Sequence, residues 1–162
     1  MKILLSSFTF VFIILITTDL DTIRTSYFSG PKTEESAKAF TEIMDNVDSN
    51  SAVLKAYQGA SFALQAHYGK GVKEKKEFFE QAVSNIEAAV QEEPENAEIR
   101  LIRLSVQEKS PRIVKYKDNM DEDKAMVLEH FEKQSKAVKK CIRDYVAHSD
   151  LFSEEEKALV LN

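Results

Sequence analysis

The sequence predicts an all-α fold of packed antiparallel helical hairpins, with about five to six helices. The 162-residue chain contains only four glycines and three prolines, which leaves little material for the tight turns of a β-sandwich or barrel. From Thr33 onwards, apolar residues recur every three or four positions, the spacing of one face of an α-helix. A chain of this length with 43% hydrophobic residues can bury one core and is expected to form one domain.

The first 18 residues have the layout of a secretory signal peptide. Lys2 precedes a mostly apolar run over residues 3–16, which is shorter than the roughly 20 residues that cross a bilayer. No clear small-x-small cleavage site follows, so an uncleaved anchor remains the alternative, and membrane contact is expected only through this segment. We therefore expect an exported protein of the periplasm or cell envelope.

The remaining chain divides into a short linker and one helical domain. Residues 19–32, which include Ser29, Gly30 and Pro31, are expected to form the linker. Residues 33–162 are expected to form the domain, and Thr33 is a suitable cap for its first helix. A second helix over about 51–68 carries a face of small residues: Ala52, Ala56, Gly59, Ala63 and Ala66. Glycine inside a helix costs about 1 kcal/mol relative to alanine, so Gly59 indicates a close approach by another helix.

Three further helices and a short terminal one complete the prediction. The third helix ends at Pro94, which cannot continue a helix, and Asn96 can cap a fourth over 97–109 that is apolar on several sides. A helix with so wide an apolar surface belongs in the centre of the fold. The longest helix is expected from Asp118 or Asn119 to about His148. A capping box of Ser153 and Glu156 then begins the terminal helix.

Two resemblances accompany this pattern. Ala82, Ile86, Ala89 and Pro94 have the spacing of the second helix and closing proline of a tetratricopeptide repeat, and the chain resembles a divergent stack of such repeats. Residues 56–129 also resemble a group of small exported proteins of Bacteroidetes-type bacteria, through residues 56–60, 96–107 and the loop around Tyr116. Members of that group usually carry glycine where this chain has Lys115. The resemblance implies export and a helical fold, and it implies no activity.

Several function classes lack support in the sequence. A net charge of −5 with interspersed basic residues argues against nucleic-acid binding. Cys141 is the single cysteine, and we expect it to pack as a small apolar residue. No two of His67, His130 and His148 are spaced as metal ligands on one helix. We therefore expect no metal, no cofactor and no enzymatic activity, and the sequence does not indicate an oligomeric state.

Two groups of residues are candidates for binding. Arg100 and Arg103 lie one turn apart on the most apolar helix, where buried guanidinium groups need acceptors. Internal ion pairs would supply these acceptors, or an anionic small molecule could do so together with Tyr57 and Tyr68. The loop over residues 111–117 combines apolar Ile113, Val114 and Tyr116 with Arg112, Lys115 and Lys117. This loop would suit a partner surface or an anionic membrane, unless its apolar side chains fold back onto the core.

The leading functional hypothesis is a module that binds another protein or a peptide in a groove between hairpins. It depends on architecture alone and not on a chemical site. The alternative is a cell-envelope protein that binds an anionic small molecule.

Overall fold

The computed structural model describes residues 19–30 and 33–162, and this part of the chain contains helices and no strands. The all-α prediction is therefore confirmed at the level of fold class. The helices are α1 (Leu20–Phe28), α2 (Glu34–Met44), α3 (Ala52–Tyr68), α4 (Val72–Glu92), α5 (Ala97–Lys109), α6 (Met120–His130), α7 (Lys136–Val146) and α8 (Glu154–Leu161). These eight α-helices in the described residues exceed the expected five to six, for two reasons.

The first additional helix is α1, which lies where the sequence predicted a linker. Leu20–Phe28 is helical, and its Ile23 and Phe28 side chains are buried in the core. Ser29 and Gly30 form a turn after this helix. The prediction of a linker over residues 19–32 is therefore wrong for residues 20–28. The predicted signal peptide, residues 1–18, lies outside the described residues.

The second additional helix arises because the predicted long helix over 119–148 is broken. A 3-10 turn at Phe131–Lys133 ends α6, and the Ser135 hydroxyl accepts a hydrogen bond from the Val138 backbone N–H to begin α7. Phe131 is buried within the break. A serine cap within a continuous apolar periodicity starts a new helix, and the spacing of apolar residues alone did not reveal it.

Most of the predicted helix starts are confirmed. Thr33 and Ser36 form a capping box at the start of α2, and Ser153 and Glu156 form one at the start of α8. The Asn96 side chain accepts hydrogen bonds from two backbone N–H groups at the start of α5. These caps satisfy backbone donors that have no partner inside the helix.

The centre of the fold is α5, as its wide apolar surface predicted. Every residue from 97 to 107 is buried, and the helix contacts α3, α4, α6 and α7. Buried apolar side chains of α5 join those of α1, α2, α3 and α7 in one cluster. Cys141 belongs to this cluster, as expected, and burial raises the pKa of its thiol to about 12. The thiolate needed for cross-linking is therefore disfavoured in the folded chain.

Helices α3 and α4 approach each other closely, and this contact explains Gly59. A Cβ atom at this position would lie 2.6 Å from Ile86 Cγ1 and 2.9 Å from the Ala82 carbonyl oxygen. Both distances are shorter than van der Waals contact, so only glycine lets the two helices approach this closely. Within the described part of the chain, no helix is both long enough and apolar enough to cross a membrane.

Candidate functional site

The polar face of α5 is closed by an ion-pair network. The Arg103 guanidinium donates two hydrogen bonds to the Asp123 carboxylate, from Nε to Oδ2 and from Nη2 to Oδ1, both at 2.7 Å. Arg100 Nη1 donates to Asp123 Oδ1 at 2.8 Å and to Glu122 Oε1 at 3.0 Å. Asp123 has no exposed surface. One buried carboxylate of α6 thus holds both arginines of α5.

The same network extends to α4 and to the loop before α6. Arg103 Nη1 donates to Glu87 Oε2 at 3.1 Å, and the Tyr116 hydroxyl donates to Glu87 Oε1 at 2.6 Å. The Tyr116 ring packs edge-on against Phe79 with centroids 5.9 Å apart. Tyr116 therefore folds back onto the core, whereas Ile113 in the same loop remains exposed.

A second buried pair lies at the start of α5 and holds α1 in place. Arg24 of α1 contacts both carboxylate oxygens of Glu98, from Nε at 2.8 Å and from Nη2 at 2.7 Å. The Tyr57 hydroxyl donates to Glu98 Oε1 at 2.8 Å, and the Tyr57 ring is fully buried. Because Glu98 is itself almost fully buried, this pair adds a polar contact to the apolar contacts that hold α1 against the core.

An open groove lies along a different side of the fold. Its volume is about 1480 Å³, and its walls come from the end of α1, the start of α2, the second half of α3, most of α4 and the ends of α5 and α7. The floor is largely apolar. Six representative residues of the floor and walls are Phe40, Ala63, Leu64, Phe79, Val83 and Val106. This groove is a large concave surface with an apolar floor and is our candidate functional site.

Two tyrosines place neutral hydroxyl groups among these apolar residues. The Tyr27 hydroxyl lies 2.9 Å from Ser105 Oγ, and burial raises the pKa of Tyr27 to about 12. The Tyr145 hydroxyl donates to Glu108 Oε2 at 2.9 Å, and burial together with the Glu108 carboxylate raises the pKa of Tyr145. Both hydroxyls therefore stay protonated and add no charge to the groove.

The rim of the groove carries charged side chains of both signs. Lys75, Lys76 and Lys109 lie on the rim with His67 and His148. Of the acidic lining residues, Glu108 accepts the Tyr145 and Ser149 hydroxyls, and Asp144 pairs with Lys140. Glu80 forms only a long contact of 3.6 Å with Lys76. The lysines also have partners, since Lys75 Nζ donates to the His67 carbonyl oxygen at 3.3 Å and Lys109 Nζ lies 3.7 Å from Glu108. The Lys109 contact is long and its side chain is 69% exposed, so the rim can accept an acidic ligand group.

The structure separates the residues that the sequence grouped as a site. Tyr68 lines the groove, whereas Arg100, Arg103, Tyr57 and Tyr116 do not. Both arginines donate to carboxylates within the chain, and Arg100 Nε also donates to the Pro94 carbonyl oxygen at 2.8 Å. The Tyr57 and Tyr116 hydroxyls donate to carboxylates as well. The contacts of the arginine pair match the ion-pair alternative, and an anionic ligand at these two residues would have to displace Asp123.

One sequence signal does point to the groove. The small-residue face of α3 meets the groove at one end: Ala56 and Gly59 are buried, and Ala63 and Ala66 line the groove. The small side chains at these two positions leave space beside α3 that larger side chains would fill.

Metal-binding chemistry is not apparent in residues 19–30 and 33–162, where no three potential ligand residues cluster. The His148 Nδ1 atom lies 2.9 Å from the Asp144 carbonyl oxygen of its own helix, and the His67 ring packs against Tyr68. The comparisons add no assignment, because no protein-family model, curated protein or solved structure matches the chain.

Proposed function

We propose that the chain is an exported helical-hairpin protein of the cell envelope that binds an apolar segment of a partner protein in the groove. One observation carries the proposal: a groove of about 1480 Å³ with an apolar floor and a polar rim. Exposing an apolar surface of this size to water is unfavourable, and a ligand that covers it removes that unfavourable contact.

The size of the groove favours a peptide over a typical small molecule. Small-molecule pockets usually measure about 300–1,000 Å³. A helix about 10 Å wide that rises 1.5 Å per residue occupies roughly 120 Å³ per residue. The groove volume therefore corresponds to roughly a dozen helical residues, which is the length of segment that helix-in-groove recognition uses.

The lining specifies the chemistry of the segment. Phe79, Val83 and Leu64 offer contacts to apolar side chains at helical spacing, and Lys75 and Lys109 on the rim favour acidic residues on its outer side. We expect a segment with apolar residues every three or four positions and an acidic opposite face.

The architecture is compatible with divergent tetratricopeptide-like stacking. In such arrays, helical hairpins stack and leave a concave surface that binds peptides. The close α3–α4 pair at Gly59 and the proline after α4 support this relation. Export is proposed from the signal-peptide layout of residues 1–18.

An anionic amphiphile is the second candidate for the same groove. A long apolar chain would lie on the floor, and its acidic head group would face Lys75 or Lys109. This alternative retains the predicted anionic ligand and moves it away from Arg100 and Arg103.

A displayed library of random twelve-residue peptides tests the proposal. We expect selection on the full chain to enrich segments of the predicted pattern. Ala63→Trp fills the groove and should weaken binding of a selected peptide by at least tenfold. Ala125→Trp, at an exposed position of α6 outside the groove, is the matched control and should bind normally. The proposal fails if both variants bind alike, or if no pattern is enriched. Saturable binding of decanoate without peptide enrichment would favour the amphiphile.

A further inference from the structure

The strongest remaining surface feature is a tip formed by residues 70–76 and 109–117. Val72 is 87% exposed, Ile113 is 88% exposed and Val114 is 38% exposed. In the described residues, the other large aliphatic side chains that are comparably exposed are Leu159 and Leu161, both in α8. The tip thus concentrates protruding aliphatic groups at one place.

The two segments of the tip lie at the same end of the molecule. Val72 and Val114 both line the groove. Phe79 lies two helical turns after Val72, on the same face of α4, and its ring contacts Tyr116, two residues beyond Val114. The start of α4 and the loop before α6 are therefore neighbours.

The tip is strongly basic in an acidic protein. Residues 70–76 and 109–117 contain eight of the 22 basic residues of the chain and one of its 27 acidic residues. Arg112 precedes Ile113, and Lys115 lies two residues after it. The Lys73 side chain is 90% exposed, and Lys73 and Lys76 form only long contacts, of 3.7 and 3.6 Å, with Glu77 and Glu80 one turn further along α4. Positive charge and protruding aliphatic groups occur together here.

We propose that this tip binds the surface of an anionic lipid bilayer, with Ile113 and Val72 inserted among the head groups. A side chain that protrudes this far needs a matching pocket on a protein partner, whereas a fluid membrane interface accepts it without one. Basic residues around an inserted aliphatic group are the usual arrangement of interfacial anchors.

The net charge of −5 does not prevent this contact. At physiological salt, charges more than about 8 Å from the membrane surface are largely screened, so the lysines and arginine of the tip dominate the interaction. Binding should therefore weaken steeply as salt is added.

The backbone of the tip turns sharply at Lys115. Lys115 has a φ of 50°, in the left-handed region, and is the one residue with positive φ other than glycine among the residues described. This conformation favours glycine, yet the position carries a lysine beside the 3-10 turn Arg112–Val114. The turn holds Ile113 outwards between two basic side chains. This inference does not require a peptide in the groove.

Tryptophan fluorescence offers a local test in the full chain, because the sequence contains no tryptophan. Ile113→Trp places a single reporter at the tip, and Val72→Trp is the second reporter. Leu159→Trp is the matched control, since Leu159 is 68% exposed but follows the acidic residues Glu154, Glu155 and Glu156. The probes are phosphatidylcholine vesicles with and without phosphatidylglycerol.

We expect the emission of the tip reporters to shift to shorter wavelength with anionic vesicles only, and the control to remain unshifted. Adding Arg112→Glu and Lys115→Glu should weaken this binding by at least tenfold. Because the reporter is local, insertion of residues 1–18 would not reproduce the difference. The proposal is overturned if the tip reporters do not shift, or shift equally with neutral vesicles. A shift with poly-glutamate but not with vesicles would instead indicate an acidic protein partner.

Discussion

The two sides of α5 differ in whether other parts of the chain cover them. On one side, Arg100 and Arg103 are buried charges, and Asp123 satisfies both of them. On the other side, Val106 and the end of the helix face an apolar groove that nothing in the described chain fills. The polar side is closed by partners from its own chain, and the apolar side remains open.

This difference indicates where a binding function belongs. Charged residues on an apolar helix suggest a binding site in a sequence. A buried charge that already has partners, however, is not available to bind a ligand. Removing an open apolar surface from water is favourable, so a ligand that covers it gains binding free energy. The groove, and not the arginine pair, is thus the better candidate site.

The largest expected effect comes from breaking the closed side. Asp123→Asn leaves two buried guanidinium groups without their common carboxylate, and we expect a loss of about 3–5 kcal/mol in the free energy of unfolding. Urea denaturation measures this loss. Asp121→Asn changes an exposed residue of the same turn and should alter stability by less than about 0.5 kcal/mol. Equal stabilities for the two variants would contradict the network.

The next effect tests whether α1 belongs to the fold. Arg24→Met leaves the Glu98 carboxylate buried with the Tyr57 hydroxyl, and we expect a loss of about 2–3 kcal/mol because Arg24 is 16% exposed. Amide hydrogen exchange over residues 20–28 should accelerate more than in the rest of the chain. Thr25→Met, at an exposed neighbouring position, should leave exchange unchanged. Rapid exchange of this segment in the unmodified chain would restore the linker interpretation.

A smaller effect concerns Gln107, one turn beyond Arg103 on the polar side. Its amide is fully buried, and neither its oxygen nor its nitrogen has a hydrogen-bond partner. A buried amide without hydrogen bonds pays a desolvation penalty that destabilises the fold. An apolar group of similar size avoids this penalty, so Gln107→Met should stabilise the fold by about 1–2 kcal/mol. The control Gln91→Met is exposed and should be neutral. Thermal and urea unfolding measure the difference, and destabilisation by Gln107→Met would contradict an unpaired amide.

The smallest effect is expected at Lys115. Its left-handed conformation costs about 1 kcal/mol or more for a residue with a side chain, and glycine avoids this cost while losing more conformational entropy on folding. We expect Lys115→Gly to gain a few tenths of a kcal/mol and Lys115→Ala to gain nothing. If alanine and glycine stabilise equally, the positive φ is not the cause.

Local signals in the sequence predicted much of the fold. Caps such as Thr33, Asn96 and Ser153 act within four residues, and periodicity identified α5 as the central helix. The two errors in the fold have different causes. The helicity of residues 20–28 depends on Glu98, which is 74 positions from Arg24, and the break before α7 depends on a serine within a continuous apolar pattern.

The site was harder to predict for the same reason. Asp123 appeared as a helix-start acid, and its carboxylate contacts arginines at least 20 positions away. The groove is bounded by six helices, so no single segment encodes it. The sequence feature that corresponds to the groove is the small-residue face of α3, which includes Ala63 and Ala66.

Titration with 1-anilinonaphthalene-8-sulfonate tests the open groove most directly, because this anionic apolar dye matches an apolar floor with lysines on its rim. We expect saturable, single-site fluorescence enhancement by the folded chain, lost in Ala63→Trp and kept in Ala125→Trp. Cooperative thermal unfolding of each variant should verify that the dye reports a folded protein. Absence of enhancement, or equal enhancement by both variants, would contradict a ligand-accessible groove beside α5.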